Sequence, residues 1–200
     1  MSKVKICGLF RDCDIDYVNE AMPDYIGFIL YFPKSHRSIG PQQARHLRSA
    51  LAPGIRAVGV FVDQPLEVVC GAAREIGLDV LQLHGHEDAD YIISLQERSG
   101  LPVWKAFRIR SEEDLALAGD SPADAVLLDN GYGTGQVFDW SLLAGFGRPF
   151  ILAGGLTPGN IPEAVHTLSP EVVDLSSGVE TEKVKDREKI LAAVRAVREN

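Results

Sequence analysis

The chain has 200 residues, 46% of them hydrophobic and 24% charged, which are ordinary values for a globular protein and exclude a wholly disordered one. A formal charge of −8 repels nucleic acid and anionic membrane, so neither is an expected partner, although a small anionic ligand in a locally favourable pocket remains compatible. No apolar run approaches the roughly 20 residues of a membrane span, and no signal peptide is evident before the first strand.

The apolar runs are short, β-branched and evenly spread. The first strand covers residues 4–7 and is followed by a helix over 14–21, with Ile15 and Val18 on one face. A second strand at 25–30 leads to a helix at 42–51, just after Pro41, a favoured first helical residue. Strand 57–62 precedes helix 64–76, and strand 80–83 precedes helix 87–98, which starts acidic and ends at Arg98 as the helix dipole favours. Strands at 103–107 and 125–128 are each followed by barely two turns of helix, at 112–118 and 139–144. Strand 149–153 leads to helix 158–168, with Thr157 as the expected N-cap. Strand 172–175 and a long amphipathic helix at 186–198 close the chain.

Most of these strands are near-continuously apolar, as strands buried on both faces are. Eight strands alternating with helices fit either a closed (β/α)8 TIM barrel or an open doubly wound sheet. The open sheet with a dinucleotide site needs G-x-G-x-x-G after the first strand. The chain has Cys7-Gly8-Leu9-Phe10 there, so the barrel is the expectation: a single compact domain over residues 1–200, with short or irregular helices after the fifth and sixth strands. The three cysteines, Cys7, Cys13 and Cys70, lack C-x-x-C spacing, which points to free thiols in a reducing, cytoplasmic setting.

In such a barrel the chemistry sits at the C-terminal ends of the strands. Polar and small residues concentrate at those ends: Cys7-Gly8, residues 31–37, Gln82-Leu83-His84-Gly85, Asp129 with the glycine-rich 130–135, Gly154-Gly155, and Ser176-Ser177-Gly178. Barrels often hold phosphate after strands seven and eight. Gly154 and Gly155 let backbone N–H groups approach an anion, and Ser176, Ser177 and Gly178 add donors. Each alone reads equally as an ordinary turn; together, at the two expected positions, they point to a phosphate site. Alternation puts Lys5 and Cys7 on one face of the first strand. Spacing alone leaves Cys7 open between a base or nucleophile and a small buried hydrophobe. Asp129 likewise stands between an acid at the mouth and a solvated loop carboxylate. Strand six is three steps from strand one by way of eight and seven, so the two side chains would flank a ligand whose phosphate lies between them, an arrangement that suits acid–base chemistry on a sugar chain. His84 and His36 lack a third metal ligand with sensible spacing, so neither a metal nor a cofactor is expected. His84 is read as lining the pocket or its loop, and His36 as solvated.

The segments Lys5-Ile6-Cys7-Gly8, Pro33-Lys34-Ser35-His36-Arg37, Gln82-Leu83-His84-Gly85, Leu127-Leu128-Asp129, Ala153-Gly154-Gly155-Leu156 and the run from Val173 to Glu180 closely resemble the phosphoribosylanthranilate isomerase family of tryptophan biosynthesis. The resemblance runs in order from residue 3 to about residue 190. It implies the (β/α)8 fold and an Amadori rearrangement of N-(5-phosphoribosyl)anthranilate. It also implies roles: Asp129 as general acid, Cys7 as general base, Arg37 facing the anthranilate carboxylate, and Gly155, Asp174, Ser176 and Ser177 on the phosphate side. A carboxylate does not bind phosphate directly, so Asp174 is expected to orient backbone amides or Ser176. One departure is Leu9-Phe10, where the family commonly carries a threonine after an aliphatic residue. Two rivals are weighed. A related histidine-pathway isomerase needs a second phosphate site after strands three and four, where no glycine pair occurs. A phosphometabolite-binding barrel without turnover would lack the acid or the base. The sequence leaves a monomer and a homodimer equally open.

Overall fold

The computed structural model describes residues 1–129, 140–143 and 145–199. Among them, eight main strands run parallel: β1 (Lys3–Cys7), β2 (Tyr25–Leu30), β3 (Arg56–Phe61), β4 (Val80–Leu83), β5 (Val103–Arg108), β6 (Ala125–Asp129), β7 (Phe150–Leu152) and β8 (Val172–Leu175). Each pairs with its neighbours in chain order, and β1 pairs with both β2 and β8. The sheet is therefore a closed barrel, as expected. Closure removes the unpaired edges that an open sheet must protect.

Register sets what the interior contains. Lys5 lies opposite Tyr25 on β2 and opposite Asp174 on β8. β1 ends opposite Gly27, and the short strand Ser38–Ile39 continues pairing along Ile29 and Leu30 of β2. That continuation carries Arg37 back over the end of β1.

The helices pack outside the barrel. They are α1 (Asp12–Ala21), α2 (Pro41–Ser49), α3 (Leu66–Ile76), α4 (Ala89–Ser99), α5 (Glu112–Gly119), α6 (Ile161–Leu168) and α7 (Arg187–Arg198). Pro41 is indeed the first residue of α2. Several N-termini differ from the pattern reading, because capping groups decide them. α4 starts after Asp88, whose carboxylate accepts from the Tyr91 N–H; Glu87 is instead buried against Lys105. α6 starts after Asn160, not Thr157. The Asn160 side chain accepts from the Thr157 N–H and donates to the Gly155 carbonyl, so residues 157–160 form a turn. α5 is short, at 8 residues, but regular, with a Ser111–Asp114 capping box. The expected helix at 139–144 is a 3-10 turn over Trp140–Leu143, its ends lying outside the described residues.

The core has two layers. Between barrel and helices lies a large apolar cluster that includes Val4, Ile6, Phe28, Phe61, Leu81, Leu95 and Val173. Inside the barrel lies a smaller one of Tyr25, Val58, Val80, Trp104, Leu127, Ile151, Ala153 and Val172. The interior positions two residues further along β3, β4, β6 and β8 are Val60, Gln82, Asp129 and Asp174. Strand alternation thus places polar groups immediately above an apolar plug.

Candidate active site

Those upper positions line a cavity of about 340 Å³, shared by Cys7, Arg37, Gln82, His84, Asp129, Gly154, Gly155, Asp174, Ser176, Ser177 and Gly178, with Ile29, Phe32, Ser35, Val60, Val62, Ala153 and Leu156 completing the wall. All ten site residues chosen from the sequence meet here. Gln82 was legible only as part of a motif. Its signal is strand alternation, which puts it on the inward face with Val80 and His84.

The inner end of the cavity is charged. Lys5 is fully buried, and its Nζ donates to both carboxylate oxygens of Asp174, at 3.0 and 2.9 Å. Asp174 therefore does not orient backbone amides or Ser176, as the sequence reading expected. The register that sets it opposite Lys5 makes it a counterion. Ser176 Oγ donates instead to the Cys7 carbonyl, at 3.2 Å. Burial alone would lower the Lys5 ammonium, but the charges of Asp174 and Cys7 outweigh it and hold Lys5 above its ordinary value. Burial pushes the Cys7 thiol up, and the neighbouring Lys5 charge opposes this only in part. A buried thiol next to a permanent cation is neutral at rest, with a counterion ready for its thiolate.

Across the cavity, His84 Nε2 lies 3.8 Å from Asp129 Oδ2, and Gln82 Nε2 lies 3.3 Å from His84 Nδ1. Burial lowers the His84 imidazolium below its ordinary value despite the Asp129 charge nearby. A neutral imidazole adds no positive charge beside that carboxyl. β6 is separated from β1 by β7 and β8, so Cys7 and Asp129 belong to strands three steps apart. The glycine-rich residues 130–135 lie outside the described residues.

Between them are the two glycine turns. Gly154 and Gly155 have φ of 87° and 66°, a conformation that disfavours side chains. Gly178 sits so close to the Leu156 carbonyl that a Cβ would overlap its oxygen. The turns after β7 and β8 are thus packed backbone on backbone, a small concave surface suited to an anion.

Arg37 completes the wall. Its Nε and Nη2 donate to the two oxygens of Glu180, each at 2.6 Å, and three of its five N–H groups stay clear of that fork. His36 is exposed, as expected. Leu9 is fully buried, and Phe10 turns edge-on to the His36 ring at 6.2 Å. The departure at residues 9–10 therefore does not place an aromatic ring on the cavity wall.

The chain matches the family model for N-(5'phosphoribosyl)anthranilate (PRA) isomerase over residues 4–196. It is 46% identical to the N-(5'-phosphoribosyl)anthranilate isomerase of Thermoanaerobacter sp. (strain X514), covering 99% of this chain and 98% of the relative. A solved phosphoribosyl anthranilate isomerase in complex with reduced 1-(o-carboxyphenylamino)-1-deoxyribulose 5-phosphate superposes with a TM-score of 0.90 at 34% identity, over 100% of both chains. A structure of monomers of the dimeric enzyme from Thermotoga maritima gives 0.89 at 35%, again over 100% of both.

Proposed function

This chain belongs to the N-(5'-phosphoribosyl)anthranilate isomerase family and is an aldose–ketose isomerase of tryptophan biosynthesis, and from that premise we propose that Asp129 and Cys7 are its acid and base. The reaction is the rearrangement of N-(5-phosphoribosyl)anthranilate to 1-(2-carboxyphenylamino)-1-deoxyribulose 5-phosphate. Protonated Asp129 gives its proton to the ribose ring oxygen as the C1′–O bond breaks and the anilino nitrogen supplies electrons, which opens the ring to an iminium. Cys7, as thiolate, removes the proton from C2′, and the C–H electrons flow into the imine to give an enolamine. Tautomerisation to the ketone follows. The iminium already acidifies the C2′ proton, so a soft, buried base suffices.

The observation that carries this reading is the convergence of both groups on one cavity, with the turns after β7 and β8 between them. Those turns hold the phosphate, through Gly154, Gly155, Ser176, Ser177 and Gly178, and Arg37 meets the carboxylate. His84 stands beside the acid. Lys5, held by Asp174, balances the thiolate. Catalysis takes place in one barrel spanning residues 1–200, in the cytoplasm, where the free thiols Cys7, Cys13 and Cys70 stay reduced. The oligomer is a monomer or a homodimer.

The histidine-pathway rival requires a second phosphate after β3 and β4. The amides there are already occupied: Glu87 accepts from Asp63 N and Gly85 N, and Asp63 accepts from His86 N. Two carboxylates on those donors repel a second phosphate. The test is conversion of phosphoribosylanthranilate by purified protein without added metal, followed by loss of its fluorescence, beside an assay with the histidine-pathway substrate. We expect the first to proceed and the second not to. Inactivity toward the first, or comparable turnover of both, overturns the assignment.

A further inference from the structure

The mechanism leaves unexplained a buried cluster at the rim of the cavity. Glu180 follows the β8 turn, and its side chain is 5% exposed. Both of its oxygens are engaged by Arg37. The Lys185 side chain, fully buried, reaches Glu180 Oε1 at 2.7 Å and the Ser176 carbonyl at 3.0 Å. The two-strand hairpin of Glu180–Thr181 and Val184–Lys185 brings Lys185 back to that position. On the other side the Arg37 stem passes so near Gly8 that a Cβ there would stand 2.5 Å from Arg37 Cδ.

A guanidinium on a long stem loses considerable rotamer freedom when it binds a ligand, and fixing it beforehand removes that loss. Glu180 occupies one edge of the Arg37 fork, which fixes the plane of the group and leaves the other edge for a second carboxylate. A single carboxylate between two cations leaves a net positive charge, so the anchor does not cancel the attraction for an anion. The cluster is strongly bound: despite burial, which opposes it, the Arg37 and Lys185 partners pull the Glu180 carboxyl down to about 2 from an ordinary 4.5.

We propose that Glu180 is a positioning residue that presets the carboxylate-binding edge of Arg37, and that Lys185 ties this arrangement to the β8 turn through the Ser176 carbonyl. The proposal rests on the reading of Arg37 as the carboxylate receiver. It makes the two ends of the substrate share one support: the residue that orients the carboxylate clamp is braced against the turn that holds the phosphate.

The test measures binding of two stable probes, reduced 1-(o-carboxyphenylamino)-1-deoxyribulose 5-phosphate and the same compound without its ring carboxylate. The readout is the ratio of their dissociation constants, which a general loss of stability does not change. Glu180→Gln keeps the shape but cannot accept from both Nε and Nη2. It should reduce the preference for the carboxylate probe about tenfold, the worth of roughly one charged hydrogen bond, with the decarboxylated probe bound as before. Glu180→Asp should recover part of the preference. Arg37→Ala should abolish the preference, and adding Glu180→Gln to it should change nothing further. If Glu180→Gln folds poorly because Lys185 is left buried without its counterion, the double variant Glu180→Gln/Lys185→Gln removes both charges and is read in the same way. A preference unchanged or increased in the Glu180 variants, while Arg37→Ala loses it, overturns the positioning role and leaves Arg37 in place. A preference retained in Arg37→Ala overturns the Arg37 reading, and the proposal with it.

Discussion

At Cys7 the burial that disfavours the thiolate also makes that thiolate a stronger base once formed. The thiol is raised above its ordinary value of 9.0 chiefly by burial, with Lys5 pulling the other way. The base must be deprotonated while the acid is still protonated, and a carboxyl ordinarily loses its proton before a thiol. So kcat/KM of the free enzyme should be bell-shaped, with Cys7 setting the alkaline limb, above 9.0. Lys5→Met removes the opposing charge and frees Asp174 to repel the thiolate, so the limb should move higher still. A pH–rate profile on phosphoribosylanthranilate reads both, and a limb that moved down in Lys5→Met would exclude Lys5 as the counterion. Cys7→Ala and Asp129→Asn should each lower kcat by roughly 10²–10⁴, the usual contribution of a general acid or base. Near wild-type turnover in either variant removes that residue from the mechanism. The positions of both residues were legible from strand periodicity and from where apolar runs stop. The partner of Asp174 was not, because Lys5 and Asp174 are 169 residues apart and meet only through the register of β1 on β8.

At the scale of elements, the turns after β7 and β8 act as one unit because Gly178 touches the Leu156 carbonyl. Gly178→Ala forces a methyl group into that contact. Overpacking of this kind costs about 1–3 kcal/mol, so the denaturation midpoint should fall. The turns would separate, and KM should rise more than kcat falls, since the phosphate does not take part in bond breaking. A variant with unchanged KM would show that the phosphate is held elsewhere. The glycines themselves were evident in the sequence; their mutual contact was not. Helix starts show a similar division. Pro41 and Asp186 mark their helices locally, and the Asp186 side chain accepts from the Lys189 N–H as a cap should. Glu87 looked like the first turn of a helix, but Lys105 on β5 draws it into a buried pair, and the helix begins two residues later.

Across the whole molecule, the Arg37–Glu180–Lys185 cluster joins the segment after β2 to the segment after β8. Its carboxyl is depressed to about 2 from 4.5. A depressed acid adds stability that is complete above its unfolded value and is lost as pH falls through the folded one. The stability difference between the parent chain and Glu180→Gln should therefore be constant at neutral pH and shrink between about pH 5 and pH 2. Urea midpoints measured across that range check it. A difference that grew with acidity would mean that the carboxyl is not held by these cations.

The sequence by itself determined the alternation of strand and helix, the parallel strands, the mouth at which the chemistry sits and the positions of Cys7 and Asp129 at that mouth, whereas their roles as base and acid came from the family resemblance. These are written in short-range patterns: a period of two, an apolar run ending in a polar residue, a glycine pair at a turn. The tertiary structure decided which charges meet. It set Asp174 against Lys5 instead of beside the phosphate turn, and brought Arg37 to Glu180, 143 residues further along the chain. Ion pairs across a barrel depend on strand register and on chain closure over more than a hundred residues, and no local pattern encodes either. The fold and the residues at its mouth were therefore legible locally, whereas the electrostatic support beneath them existed only once the barrel had closed.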